Sequence, residues 1–368
     1  MPLFKLIGAA VAAAVLIAPL APGAAAAEDQ PVLEAGAIMA NAVNGFVRPG
    51  YAAFHASGDR LVMAAESLCA SPGPASLDAA RQAFGDTVLS WSAIEIVRFG
   101  PVSAENRFER VLFYPDRKGT GLRQVQAVLA GGEAHGWELA DLQGQSVAIQ
   151  GLGGLEFALF GDGSDALAKA GTDGSRCRYI DLVAENIRQI GAELDAAWAD
   201  EKGIAAVWMN PGPNNRVFRD PREALSELIG TMIHGLETVR DIRVGSFLGT
   251  EKKPGLPKTA IYRRSGLTMP SIAATLASIE NLFNESRIER AATHDARKLG
   301  DEVRFELDQT IKTARSFDGD VETLLEDAET RERLAYLRLA IKNAIDRLDG
   351  EFSAAAGLSA GFSFGDGD

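Results

Sequence analysis

The chain has 368 residues, of which 46% are hydrophobic and 24% are charged, and its formal net charge is −13. A strongly acidic protein is repelled by nucleic acids and by anionic membrane surfaces, so we exclude both as partners. Acidity does not by itself indicate cation binding, because excess negative charge is also a common means of staying soluble.

Residues 1–27 are predicted to form a secretory signal peptide. Lys5 supplies the positive start, Leu6–Leu20 forms a short apolar core, and Ala24–Ala27 offers small residues for cleavage before Glu28. The apolar core is too short for a stable membrane span, although an uncleaved N-terminal anchor stays open as the alternative. Because no cysteine lies near the cleavage region, we do not expect a lipoprotein. The sequence therefore predicts export to a bacterial periplasm.

The hydrophobic periodicity is helical almost throughout, and alternating β-type runs are nearly absent. The predicted helices are Ala35–Cys69 with a bend near Pro49, Ser76–Arg98, Gly121–Leu129, Leu139–Gly144, Ser146–Phe160, Asp173–Ala199, Pro221–Leu248, Ser271–Ser286, Leu299–Phe317 and Thr330–Phe352. The fold class is therefore all-α. The chain length suits two helical-bundle domains, which we predict at residues 28–165 and 166–368.

Cys69 and Cys177 are the only cysteines in the sequence. Export would carry them into a compartment where disulfides form and persist, so we predict that they are bonded to each other. Two buried free thiols are the alternative.

The segment from Gly151 to Glu156 places a carboxylate in an apolar stretch that continues to Phe160. Burying a lone glutamate is costly unless a cation pairs with it, hydrogen bonds satisfy it or a ligand binds it. Glu156 is therefore a candidate site residue. The neighbouring glycines lack the βαβ context of a dinucleotide site and are predicted to permit close helix approach.

Two short segments repeat a Glu-x-x-Arg pattern in the two halves of the chain. Glu95 and Arg98 stand in the first, and Glu237 and Arg240, followed by Asp241, stand in the second. Residues at this spacing lie on one helix face and can pair. The repeat favours two distantly related halves, with chance similarity as the alternative, and the apolar flanks favour buried or interfacial positions for these charges.

These segments belong to a longer series of motifs that resembles the imelysin-like family, also called peptidase family M75. The motifs, in chain order, are Trp91–Glu95 with Arg98–Pro101, Phe113–Arg117, Gln150–Glu156, Gly235–Asp241 and Leu358–Asp368. The resemblance covers essentially the whole chain after the signal peptide. It implies a two-domain helical fold with a site at the domain interface, export and, in many members, a link to iron acquisition.

One position departs from the family pattern Gly-x-His-x-x-Glu, because Gly153 stands where the histidine is expected. The resemblance implies that this histidine and the glutamate are metal ligands. Catalytic zinc usually has three protein ligands and an open position, and Glu156 alone would hold a divalent ion poorly. His135 and His234 each precede a glutamate by three residues, a spacing that is frequent by chance.

We therefore expect a periplasmic binding or accessory protein that acts without chemistry. Its expected site lies between the domains and binds a small ligand or metal complex, which passes to an uptake system in the inner or outer membrane. The site residues are Glu95, Arg98, Glu156, Glu237, Arg240 and Asp241. The cofactor stays open, with a divalent metal or iron as candidates. The alternative is a metal-dependent M75 peptidase whose metal is held by Glu156 and a histidine from elsewhere.

Overall fold

The computed structural model describes residues 33–169, 174–249, 255–291 and 294–358. The predicted signal peptide and the last ten residues of the Leu358–Asp368 motif lie outside this part of the chain. The helices of the first half are α1 (Ala35–Ala42), α2 (Arg48–Ala70), α3 (Pro74–Ser92), α4 (Arg107–Val111), α5 (Thr120–Gly131), α6 (Leu139–Gln143), α7 (Leu152–Phe160) and α8 (Gly174–Ala199).

The second half of the chain is also helical, and the described residues contain no strand. Its helices are α9 (Ile204–Met209), α10 (Pro221–Glu237), α11 (Gly245–Leu248), α12 (Thr268–Ser286), α13 (His294–Arg315), α14 (Val321–Glu326), α15 (Ala328–Ile345) and α16 (Ala354–Ala356). The predicted all-α class is confirmed. No helix in the described ranges is long and apolar enough to cross a bilayer.

The first long helix is interrupted where the sequence has a proline. A π-helical turn, Val43–Val47, joins α1 to α2, and Pro49 follows at the start of α2. Proline cannot donate the backbone hydrogen bond of a regular helix, so the irregular turn before it has a clear cause. Similar π-helical segments, Thr238–Val244 and Asp346–Ser353, continue α10 into α11 and α15 into α16.

Two predicted helices are shorter than expected. Helix α3 ends at Ser92, because the backbone then tightens into turns in which Ile94 and Val97 donate to carbonyls three residues back. The predicted helix Ser146–Phe160 is broken at Gly151, whose backbone is extended at φ −135°. A Cβ atom on Gly151 would lie 2.2 Å from the Val111 carbonyl oxygen, so only glycine permits this close approach.

Helix α8 packs along α2 and also contacts α7, the helix that carries Glu156. The predicted disulfide between Cys69 and Cys177 is confirmed and links the end of α2 to the start of α8, with a Cα–Cα distance of 5.6 Å. The described residues fall within one compact unit. The division at residue 165 into two domains stays a prediction.

Candidate functional site

Glu156 lies in the first half of α7 and is only 5% exposed. Its Oε1 atom accepts three hydrogen bonds from the turn that precedes α12. The donors are the backbone N–H groups of Arg264 and Ser265, both at 3.0 Å, and the Ser265 hydroxyl at 2.9 Å. The carboxylate therefore joins α7 to a segment more than a hundred residues away in sequence.

Burial raises the pKa of Glu156 above its ordinary value, and the hydrogen bonds from Ser265 and the nearby Arg264 charge oppose that rise. All hydrogen bonds that Glu156 forms with the described residues go to Oε1. The other carboxylate oxygen, Oε2, therefore keeps its full capacity to accept a hydrogen bond from a ligand.

Glu156 borders a cavity of about 500 Å³ that we call the Glu156 cavity. Its walls come from the segment before α5, from α5 and α7, from the region around Asp241, and from the segment Leu256–Arg264. Its lining includes Phe113, Tyr114, Asp116, Arg117, Leu122, Val125, Gly153, Phe157, Asp241, Lys258, Tyr262, Arg263 and Arg264.

The glycines near Glu156 have different roles. A Cβ atom on Gly154 would lie 2.2 Å from the Tyr179 hydroxyl, so this glycine permits close packing as predicted. A Cβ atom on Gly153 would meet nothing within 4 Å. Gly153 borders the cavity and stands three residues before Glu156 on the same helix face. The absence of a side chain at Gly153 therefore widens the cavity beside the carboxylate.

Glu95 forms a buried ion pair, but its partner is Arg243 and not Arg98. Arg243 Nη2 donates to Glu95 Oε2 at 2.5 Å, and the Thr275 hydroxyl donates to Oε1 at 2.8 Å. Glu95 and Arg243 are each 3% exposed. Because α3 ends before Glu95, the helical spacing that would bring Glu95 to Arg98 does not apply there.

Arg98 has an exposed side chain whose guanidinium lies over the Phe108 ring, 4.4 Å from its centroid. Glu95 and Arg98 border a second, smaller cavity of about 220 Å³, together with His234. Two of the six predicted site residues therefore belong to a cavity different from the one that Glu156 borders.

The remaining predicted residues pair locally. Glu237 is half-buried and lies 3.1 Å from His234 Nδ1, while Arg240 binds the exposed Asp241 through Nε at 2.8 Å and Nη2 at 2.6 Å. Asp241 borders the Glu156 cavity, and neither Glu237 nor Arg240 borders that cavity or the smaller one. The structure thus brings Asp241 to the Glu156 cavity and leaves Glu237 and Arg240 outside the lining of both cavities.

Tyr262 is a buried residue that senses the charges of both buried carboxylates, Glu95 and Glu156, and it was not predicted from sequence. Its φ angle of 52° is unusual for a residue other than glycine, and its side chain is 2% exposed. The Tyr262 hydroxyl is enclosed and lies beside Arg243, without meeting the geometry of a well-aligned hydrogen bond to a described residue. Burial raises its pKa well above the ordinary value, the Glu95 and Glu156 charges raise it further, and Arg243 opposes the rise. Tyr262 also borders the Glu156 cavity.

The described residues do not supply a metal centre. No three of their His, Cys, Asp or Glu side chains lie close enough together to hold a metal ion. Gly153 offers no ligand, and Oε1 of Glu156 already accepts three hydrogen bonds. The donor set around Glu156 therefore fits a resident metal cofactor poorly.

The fold and the cavity define an all-helical protein with a buried, hydrogen-bonded glutamate in the wall of a ligand-sized cavity. The Peptidase M75 (imelysin) family model matches residues 47–348. The chain belongs to the imelysin family.

Two solved structures have a similar fold. An imelysin-like protein from Psychrobacter arcticum 273-4 is 19% identical, with a TM-score of 0.75, and the match covers 91% of this chain and 100% of that one. A putative iron-regulated protein A precursor from Parabacteroides distasonis ATCC 8503 is 14% identical, with a TM-score of 0.69, and the match covers 89% and 97% of the two chains. No curated protein matches the sequence significantly.

Three residues around the two buried carboxylates escaped the sequence interpretation. Arg243 continues the spacing of Glu237 and Arg240 by three more residues, a signal that could have found it. Tyr262 and Ser265 lie in an irregular segment without periodicity, and nothing in the sequence near Glu156 points to them.

Proposed function

We propose that the protein is an exported periplasmic binding or accessory protein of an iron- or metal-acquisition system, and that it binds its ligand in the Glu156 cavity without chemistry. One observation carries the proposal. The buried carboxylate of Glu156 is held by three hydrogen bonds to Oε1, while Oε2 stays free to bind a ligand in the open space next to Gly153. A cavity of about 500 Å³ is within the usual size range of small-ligand sites.

The link to metal acquisition comes from relatives and not from a metal centre in this chain. One similar structure is named a putative iron-regulated protein A precursor, and the sequence begins with a segment that predicts a signal peptide. Because the donor set around Glu156 suits a hydrogen-bonded ligand better than a bare ion, the proposed ligand is a small organic molecule or a chelated metal. The proposed partner that receives it is an uptake system in the inner or outer membrane.

Calorimetric titration of the purified protein tests this function. We expect ferric complexes of small organic chelators, or the chelators alone, to bind more tightly than Fe, Zn or Cu ions added without chelator. Glu156→Gln should weaken that binding at least tenfold, whereas the exposed Glu332→Gln should leave it unchanged. Tight stoichiometric binding of a bare ion that is lost in Glu156→Gln would contradict the proposal.

Export and the lack of catalytic activity need separate tests. Cell fractionation with mass spectrometry should find a periplasmic protein that begins at Glu28, and a cytoplasmic protein of full length would refute export. Peptide hydrolysis that disappears both with a chelator and with Glu156→Gln would instead establish the metal-dependent peptidase.

A further inference from the structure

The charges around the Glu156 cavity do not balance locally. The chain carries a net charge of −13, yet the cavity lining includes the cations Arg117, Lys258, Arg263 and Arg264. Only Arg263 has a carboxylate partner in the described part of the chain, Glu322 at 3.3 Å. Arg117, Lys258 and Arg264 form no ion pair with any described residue.

The acids of the same lining have partners. Asp116 accepts hydrogen bonds from the backbone N–H groups of Thr120 at 2.7 Å and Gly121 at 2.9 Å, at the start of α5. Asp241 binds Arg240. Glu156 receives its three hydrogen bonds from Arg264 and Ser265. The partners of Asp116 and Glu156 are neutral donors, so these two carboxylates also lack a counter-ion among the described residues. Three cations of the lining lack one, so the excess charge around this cavity is positive.

Much of the remaining wall is apolar or aromatic, including Phe113, Leu122, Val125 and Phe157. The Arg264 guanidinium lies 5.2 Å from the centroid of the Phe157 ring. Burial and the neighbouring Arg263 lower the pKa of Arg264, and Glu156 opposes this only in part. An anion beside Arg264 would offset both effects.

One hydrogen-bonding group is left for a ligand, because Glu156 Oε2 is an acceptor without a donor among the described residues. The Tyr262 hydroxyl, by contrast, is enclosed and lies beside Arg243. The open acceptor favours a ligand that carries a hydroxyl or N–H donor.

We propose, as an extension of the function proposed above, that the Glu156 cavity selects an organic anion with an apolar body and a hydroxyl or N–H donor. The anion is bound by Arg117, Lys258 and Arg264, the apolar body packs on Phe157 and its neighbours, and the donor binds Glu156 Oε2. A ligand of this class needs no metal for binding.

A metal-free fluorescence titration with three matched probes tests this ligand class. The first probe, 6-hydroxy-2-naphthoate, has an aromatic body, an anionic group and a hydroxyl that lies too far from the carboxylate to bond with it internally. Its methyl ester lacks the charge, and 2-naphthoate lacks the hydroxyl. We expect the hydroxy acid to bind about tenfold or more tighter than either, because hydrogen bonds to charged groups are the stronger class.

Variants that each remove one positive charge show which side chains bind the anionic group of the ligand. Arg117→Gln and Lys258→Gln should each weaken the hydroxy acid by about three- to tenfold and leave the ester unchanged, since only the acid uses the cations. Lys118→Gln is the matched control, because Lys118 is exposed, next in sequence to Arg117 and not part of the cavity lining. Equal affinity for acid and ester, or no binding of the acid, would overturn the anion proposal.

The two proposals fail in different ways. If ferric complexes bind and depend on Glu156 while acid and ester bind alike, the ligand class is wrong and the binding function stands. If all ligands, with or without metal, bind Glu156→Gln as tightly as the wild type, the Glu156 cavity is not the binding site and both proposals fall.

Discussion

Ser265 donates two hydrogen bonds to Oε1 of Glu156, one from its backbone N–H at 3.0 Å and one from its hydroxyl at 2.9 Å. This contact joins α7 to the turn before α12, across 109 positions of sequence. It satisfies one carboxylate oxygen within the protein and leaves the other for a ligand. The position and protonation of Glu156 therefore depend on a turn from the other half of the chain.

The raised pKa of Glu156 predicts a pH-dependent stability. The pKa of Glu156 in the folded state lies above the ordinary value of 4.5. Between pH 4.5 and the raised pKa, the folded form therefore binds more protons than the unfolded form. The stabilisation by this proton is complete below pH 4.5 and is lost as pH rises through the raised pKa. The free energy of unfolding of the wild type, measured relative to Glu156→Gln, should thus fall as pH rises above 4.5.

Urea unfolding of both proteins between pH 4.5 and 8 measures this difference. A difference that is constant over the range, or that grows with pH, would contradict the predicted direction of the pKa shift.

Arg243 and Glu95 form a buried ion pair, and removing either partner should destabilise the folded protein. Each single change, Glu95→Gln or Arg243→Gln, leaves a buried charge without its partner and should lower the free energy of unfolding by about 3–5 kcal/mol. The double variant should lose clearly less than the sum of the two. Denaturant unfolding of the four proteins gives the coupling directly, and additive losses would show that the pair is not energetically coupled.

Gly153 and Gly154 are neighbours with opposite tolerance of a side chain. Gly153→Ala adds a Cβ in open space and should stabilise the helix by about 0.5 kcal/mol. Gly154→Ala would displace the Tyr179 hydroxyl, which donates to the Ile149 carbonyl at 2.6 Å, and should destabilise by about 2–4 kcal/mol. Thermal and urea unfolding of the two variants measure these stability changes. Similar changes in both variants would contradict the packing described for α7.

The disulfide between Cys69 and Cys177 should make a large contribution to stability. It closes a loop of 108 residues, for which chain entropy predicts a loss of about 4–5 kcal/mol when both cysteines become serine. Urea unfolding measures this loss. The double variant is compared with the wild type, which is unfolded both with and without a reductant. A loss below about 1 kcal/mol would mean that the unfolded chain is already compact or that the bridge is strained.

The sequence predicted the helices well, because their apolar spacing continues over many turns. Asp173–Ala199 was predicted almost at its observed limits, Gly174–Ala199, and the π-helical turn before Pro49 lies where a bend was expected. The limits were missed where a tertiary contact decides them. Helix α3 ends before Glu95, and Gly151 breaks the next predicted helix where it approaches Val111.

The candidate site was harder to predict, because its hydrogen bonds connect segments far apart in sequence. The apolar surroundings of Glu156 were enough to single it out. The Glu-x-x-Arg repeat placed Glu95 beside Arg98, whereas the observed partner, Arg243, lies 148 residues away. Ser265 and Tyr262 hold their positions through an irregular turn, and hydrophobic periodicity carries no information about such a turn.

Blocking the Glu156 cavity from Gly153 tests the central claim most directly. Gly153→Leu places a side chain in open space at the cavity wall without disturbing the helix core. Calorimetric titration with a ferric chelate should show at least tenfold weaker binding in Gly153→Leu than in Gly153→Ala, while both unfold at or above the wild-type temperature. Equal affinity in the two folded variants would contradict a ligand site beside Glu156.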